Sequence, residues 1–161
     1  MATVYLSLGT NIGNKEKQMN EAIERIETQI GDVASRSTFY VTEPWGFESE
    51  NSFLNAAVKI ETELSADEVL KETQNIEREM GRMEKSEKGK YKDRIIDIDI
   101  LMYGTSIIDS PNLTIPHKFM KERRFVLEPL AEIASEVVIP GTGISVSKAL
   151  NLLIHKAKSD Q

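Results

Sequence analysis

Asp97 and Asp99 stand two residues apart inside RIIDIDILMYG, Arg94 to Gly104, an otherwise aliphatic run. An unpartnered carboxylate is costly in apolar surroundings, so a wholly buried strand would exclude both. Side chains alternate between faces along a strand. Ile96, Ile98 and Ile100 then share one face, while Asp97 and Asp99 join Ile95 and Leu101 on the other. The Cα atoms of the two acids would lie about 7 Å apart. Carboxylates this close repel one another unless a cation intervenes. Mg²⁺ typically binds one or two carboxylates together with substrate phosphates. A pair of such ions about 4 Å apart can clamp a phosphoryl transfer. Taken alone, the strand slightly favours a plainer alternative, two solvated acids on an open sheet face.

The surroundings shift that balance. The preceding segment, GRMEKSEKGKYKD, carries Arg82, Lys85, Lys88, Lys90 and Lys92 against Glu84, Glu87 and Asp93, and leads into Arg94. A basic loop running into an acid pair suits a lid over Mg²⁺-bound polyphosphate; a solvated charge run is the bland alternative. Phe53 and Asn55 reach the acids' face if their own strand also turns its aliphatic row toward the helices. Gln74 and Glu77 flank the apolar stripe of a helix, where they either meet a ligand at the sheet edge or snorkel.

The elements that must position these residues follow from periodicity. Thr3 to Leu8 alternates and reads as a strand. Met19, Ala22, Ile23, Ile26 and Ile30 form a helical stripe from Lys15 onward, with Gly31 as its stop. Val33 to Val41 is β-branched and aromatic, which predicts one strand. Phe53 to Glu63 alternates cleanly. Ser65 and Glu68 form a capping box that opens a second helix, with Val69, Thr73, Ile76 and Met80 as its buried stripe. The acid strand comes fourth. The order βαββαβ predicts an α+β, ferredoxin-like antiparallel sheet with both helices on one face. The rest forms a C-terminal α/β extension, with helical patterns over Val126–Ala134 and Ser147–Lys156.

Composition bounds the function. The 161 residues fit a single domain, 1–161, with 40% hydrophobic and 29% charged residues. A net charge of −6 argues against gripping nucleic acid through its phosphates. The chain has no cysteine, which removes disulfides, thiolate chemistry and Cys-based zinc sites. No signal-like leader and no long apolar run is apparent, so a cytoplasmic protein without membrane contact is expected.

FYVTEPWG, FLNAAV, TQNIE, GR, R-x-x-D-x-D-I-L and LTIPH-x-x-M-x-x-R-x-F, in this order and spacing, resemble the 6-hydroxymethyl-7,8-dihydropterin pyrophosphokinases of folate biosynthesis. The resemblance covers essentially the whole chain. It implies transfer of an intact pyrophosphoryl group from ATP to the pterin hydroxymethyl oxygen, with AMP leaving. Asp97 and Asp99 would hold two Mg²⁺ ions. Phe53 and Phe125 would sandwich the pterin, Asn55 would hydrogen-bond its edge, and Thr42, Pro44 and Trp45 would line the same slot. Gln74, Glu77, Ile100 and Thr114 would lie on the ATP side, His117 and Arg123 on its phosphates. Arg82 and Arg94 would neutralise charge developing in the transfer. A monomer acting on small molecules is expected.

The chain departs from the family's pattern in places. Glu84 stands where a second Arg is common, Lys92-Asp93 where Gly-Pro is usual, and Asn112 replaces an Arg before LTIPH. The lid Trp is missing, with Tyr91 or Lys90 nearby, and Lys118 takes a position that is often aromatic. Two other readings compete. An RNA-binding module on this fold would show aromatic strand motifs, and none occurs here. A regulatory or ligand-binding domain would leave the acids merely solvated.

Overall fold

The computed structural model describes residues 1–42, 52–81 and 95–159, with side chains to Lys156. Pro44, Trp45, Arg82, Arg94 and the rest of the lid lie outside the described residues.

The elements run β1 (Ala2–Thr10), α1 (Lys15–Gln29), β2 (Asp32–Arg36), β3 (Tyr40–Thr42), β4 (Phe53–Thr62), α2 (Ala66–Gly81) and β5 (Asp97–Tyr103). The sheet order is β2-β4-β1-β5, with β3 also on β4, and every pairing is antiparallel. This is the expected βαββαβ arrangement. The capping box forms as read: Glu68 Oε1 accepts from Ser65 N at 2.8 Å, and Ser65 Oγ from Glu68 N at 3.2 Å. Gly31 follows α1, but no left-handed turn requires it. A Cβ there would sit 2.2 Å from the Glu61 carbonyl oxygen, so close approach to β4 is what demands glycine.

Val33 to Val41 is not one strand. It breaks at Ser37, which is buried. Ser37 N donates to Ala57 O, and Ser37 Oγ accepts from Ala57 N, both at 2.9 Å. A hydroxyl thus stands in for a ladder carbonyl, and the chain re-aims between β2 and β3.

One core lies between the sheet and α1–α2, with Leu6, Leu8, Met19, Ile26, Val58, Ile60, Ile76, Ile96 and Ile98 among its members. The opposite face was expected to be open, and over half its length it is not. Beyond β5 come a short hairpin, β6 (Ile108–Asp109) and β7 (Thr114–Ile115), a 3-10 turn at Met120–Glu122, α3 (Arg124–Ala134) and α4 (Val146–Ser159). Helices α3 and α4 bury Tyr5, Ala57, Leu101 and Met102 under Val126, Leu127, Leu130 and Val146 in a second core. Each such aliphatic contributes roughly 1.5–3 kcal/mol when fully buried. A bulge makes this layer possible: Tyr5 pairs with Met102 and Leu6 with Ile100, leaving Leu101 extra. Leu101 and Met102 therefore both face the second core, and only the end holding Asp97 and Asp99 stays clear of that buried cluster.

Candidate active site

The acids sit on the rim of that sheet end. Asp97 pairs with Gly9 and Asp99 with Ser7 across β1; Gly9 and Ser7 pair in turn with Asn55 and Ala57 on β4. Directly paired residues share a face, so one row reads Asp97, Gly9, Asn55, Tyr40. Gly9 leaves a gap in it. A Cβ at Gly9 would stand 3.0 Å from Asn55 Oδ1. The row thus offers a carboxylate, a step without a side chain and an amide that leans over that step.

Asn55 is only 3% exposed. Its Nδ2 donates to Thr42 Oγ1 at 2.8 Å, which fixes the amide's orientation. Phe53 pairs with Thr42 and keeps 36% of its surface exposed. Thr42, Phe53 and Asn55 are therefore brought together as the sequence implied.

Glu77 is placed more sharply than expected. It neither snorkels nor points away: Oε2 accepts from Ile98 N at 2.8 Å. Ile98 lies between the two acids on a sheet-edge strand, so Glu77 holds the backbone that carries both. Thr10, which is buried, donates its hydroxyl to the Ile95 carbonyl just upstream, and its Oγ1 lies 3.1 Å from the Gln18 side-chain amide. The entry to β5 is thereby tied to β1 and α1. Gln74 is exposed on α2 and Thr114 on β7; among the described residues neither has a hydrogen bond to the acids. The Ile100 side chain belongs to the first core, which leaves only its backbone for a ligand.

The segment after β7 closes the other side. His117 N donates to the Leu101 carbonyl at 2.9 Å. Burial first lowers the His117 pKa, Asp99 raises it and Arg123 lowers it, so the imidazole lies within electrostatic reach of both. Its Nδ1 accepts from Phe119 N at 3.2 Å, which assigns the proton of the neutral ring to Nε2. The Arg123 guanidinium lies 5.2 Å from the Phe119 ring centre and 5.8 Å from that of Phe125. Helix α3, which carries Phe125 in its first turn, is tied to the strand side by Glu132. That carboxylate accepts from Thr38 N at 3.0 Å, Thr38 Oγ1 at 2.8 Å and Tyr40 Oη at 2.7 Å. The Tyr40 bond is the leading cause that lowers the Glu132 pKa, and the same bond raises that of Tyr40.

Phe119, Gly9 and Glu132 were not singled out from the sequence. The signal for Gly9 is its register opposite Asn55; the long-range contacts of Glu132 leave no local signal. Among the described residues no three His, Asp or Glu side chains form a metal-holding group. Two hard oxygen donors at an open rim fit Mg²⁺, which completes its shell with substrate oxygens and water.

Comparisons with known proteins identify the family and the fold. The model of the family described as 7,8-dihydro-6-hydroxymethylpterin-pyrophosphokinase (HPPK) matches residues 5–135. A 2-amino-4-hydroxy-6-hydroxymethyldihydropteridine pyrophosphokinase of Porphyromonas gingivalis is 48% identical over 135 residues, covering 83% of this chain and 92% of the relative. One from Haemophilus influenzae is 39% identical over 158 residues, 97% of this chain and 96% of that one. Among solved structures, wild-type Plasmodium falciparum HPPK-DHPS with SDX-DHP superposes with a TM-score of 0.78 at 17% identity over 99% of this chain. The chain spans 45% of that longer protein, and the likeness concerns the fold. No helix of the described residues is long and apolar enough to cross a membrane.

Proposed function

We propose a residue-level mechanism from one premise: the chain belongs to the 7,8-dihydro-6-hydroxymethylpterin-pyrophosphokinase family. It is a pyrophosphokinase of folate biosynthesis, with ATP and a hydroxymethyldihydropterin as small-molecule substrates. A non-catalytic binding module on the same fold is not favoured. The observation that carries the mechanism is the row Asp97–Gly9–Asn55, a carboxylate and an oriented amide across a gap.

Asn55 reads the pterin edge through the atoms its Thr42 bond leaves over. Phe53 stacks on the ring from the strand side, and Phe125 from α3. The ring fills the step that Gly9 keeps clear, which brings its hydroxymethyl arm toward Asp97. Asp97 and Asp99 would hold two Mg²⁺ ions, which would supply charge neutralisation for the transfer. Glu77 keeps both acids in register. His117 donates Nε2–H to a phosphate oxygen, and Arg123 adds a fixed positive charge beside it. Arg82 and Arg94, at the two ends of the lid, neutralise charge on the transferring group. Gln74, Thr114 and the Ile100 backbone lie on the nucleotide side. Catalysis here is positioning and electrostatics, with no protein nucleophile required. We also read the chain as one domain over 1–161, monomeric and cytoplasmic.

The test is the nucleotide product. With ATP, Mg²⁺ and the reduced pterin, AMP should form in step with pterin diphosphate. ADP as the product, or no turnover beside an active control enzyme, overturns the reading. Two ions should appear as biphasic Mg²⁺ activation; a single-site curve removes the second.

A further inference from the structure

Phe119 is an exposed aromatic with no place in either core; 42% of its surface faces solvent. Two features set it apart from an incidental surface residue. Its backbone N–H is held by His117 Nδ1 at 3.2 Å, so its position follows that of the histidine. Its ring faces cations: Arg123 at 5.2 Å and Lys118 Nζ at 5.4 Å from the ring centre. Phe125, 40% exposed, approaches the same Arg123 guanidinium at 5.8 Å. Among the described residues no carboxylate lies within ion-pair distance of Arg123, whereas Arg25 has two and Arg124 has one.

A surface arginine normally samples many rotamers, and fixing it has an entropy cost. A carboxylate partner would fix it but would cancel the charge it offers an anion. Aromatic faces fix a guanidinium through the ring quadrupole and leave its N–H edge available. Phe119, four residues before Arg123, and Phe125, two residues after it, bracket the cation, whose charge acts on the His117 imidazole.

We propose that Phe119 is a positioning residue for the nucleotide-phosphate contact: with Phe125 it brackets Arg123 and presents the guanidinium, uncancelled, toward the triphosphate. The proposal rests on the phosphate-binding reading of Arg123 given above. It assigns Phe119 a role in ATP affinity, distinct from the pterin contact of Phe125.

The experiment is a double-mutant cycle read as affinity for a non-hydrolysable ATP analogue by calorimetry, with Mg²⁺ present, alongside KM for ATP and kcat. F119A and F119L should each weaken nucleotide binding about 2- to 5-fold, the worth of one partly exposed cation–π contact. Pterin KM should stay within twofold, and F119Y, which keeps an aromatic face, should restore ATP affinity. In an R123A background, F119A should add nothing. Melting temperatures identify any variant that fails to fold; the tyrosine and leucine forms then carry the comparison. If R123A weakens ATP binding but F119L does not, the bracket is refuted. Additive losses in the double variant refute it too, because Phe119 would then act without Arg123. If R123A itself binds and turns over as the unaltered protein does, the phosphate reading of Arg123 fails and the proposal with it.

Discussion

Glu77→Ala takes away the acceptor that Oε2 offers to Ile98 N at 2.8 Å. A hydrogen bond to a charged group contributes about 1.5–3 kcal/mol when nothing replaces it. The bond is only part-buried and at a sheet edge, so water can take the amide, and about 1 kcal/mol is the expected loss. For a domain of this size that lowers Tm by roughly 2–4 °C. The functional loss should be larger. Ile98 links Asp97 and Asp99, so freedom at its amide is freedom in both carboxylates, and outer partners of metal ligands cost about 10- to 100-fold in affinity or activity. The assay is kcat against Mg²⁺ concentration, with far-UV circular dichroism and Tm on the same samples. Glu77→Ala should need more Mg²⁺ for half-maximal rate and have a lower plateau. Glu77→Gln, whose amide oxygen still accepts, should recover most of both. A folded Glu77→Ala protein with unchanged Mg²⁺ dependence and turnover within twofold would refute the reasoning. The edge bond would then matter for stability alone.

Asp97→Asn should cut kcat at least about 100-fold, the scale of losing one electrostatic stabiliser of the transition state. Tm should hold or rise, because one of two neighbouring charges is gone; near-normal turnover would remove Asp97 from the metal site. Gly9→Ala should raise the pterin KM more than the ATP KM, because the new Cβ meets Asn55 Oδ1 at 3.0 Å and the amide must shift by a few tenths of an ångström. Equal effects on both substrates in steady-state kinetics would contradict that. Tyr40→Phe probes the bond to Glu132 through its pH window. The lowered Glu132 pKa makes its contribution present above the ordinary carboxylate range and lost as pH falls through the folded value. The raised Tyr40 pKa makes its contribution present below about pH 10 and lost as pH rises further. The Tm difference between Tyr40→Phe and the unaltered protein should therefore be flat from about pH 6 to 9 and shrink at both ends; a difference that grows toward acid would reverse the assignment.

Alternation alone located β1, β4 and β5 and turned Asp97 and Asp99 away from the helix-side core, because one face of each strand is strictly aliphatic there. Heptad-like stripes did the same for α1 and α2. What escaped was where side chains replace backbone or where apolar residues change sides. The break at Ser37 looks β-branched in sequence, because a hydroxyl standing in for a carbonyl leaves no hydropathy mark. The bulge at Leu101 is invisible because Leu101 and Met102 are apolar in either register. Alternation already turned Phe53 and Asn55 toward the acids; the resemblance supplied their roles and added His117 and Arg123, whose types alone would have read as turn and surface. It passed over Phe119, which falls on an unspecified position of the LTIPH block.

Strand β5 is a sheet edge carrying the apolar run Ile100, Leu101 and Met102, the kind of segment that recruits a second copy of itself. Glu77 occupies the Ile98 amide, and the backbone of His117 occupies the Leu101 carbonyl. The two acids add charge along the same edge. The residues proposed to hold metal and nucleotide therefore also act as gatekeepers against edge-to-edge association, and solubility is coupled to the proposed catalytic motif.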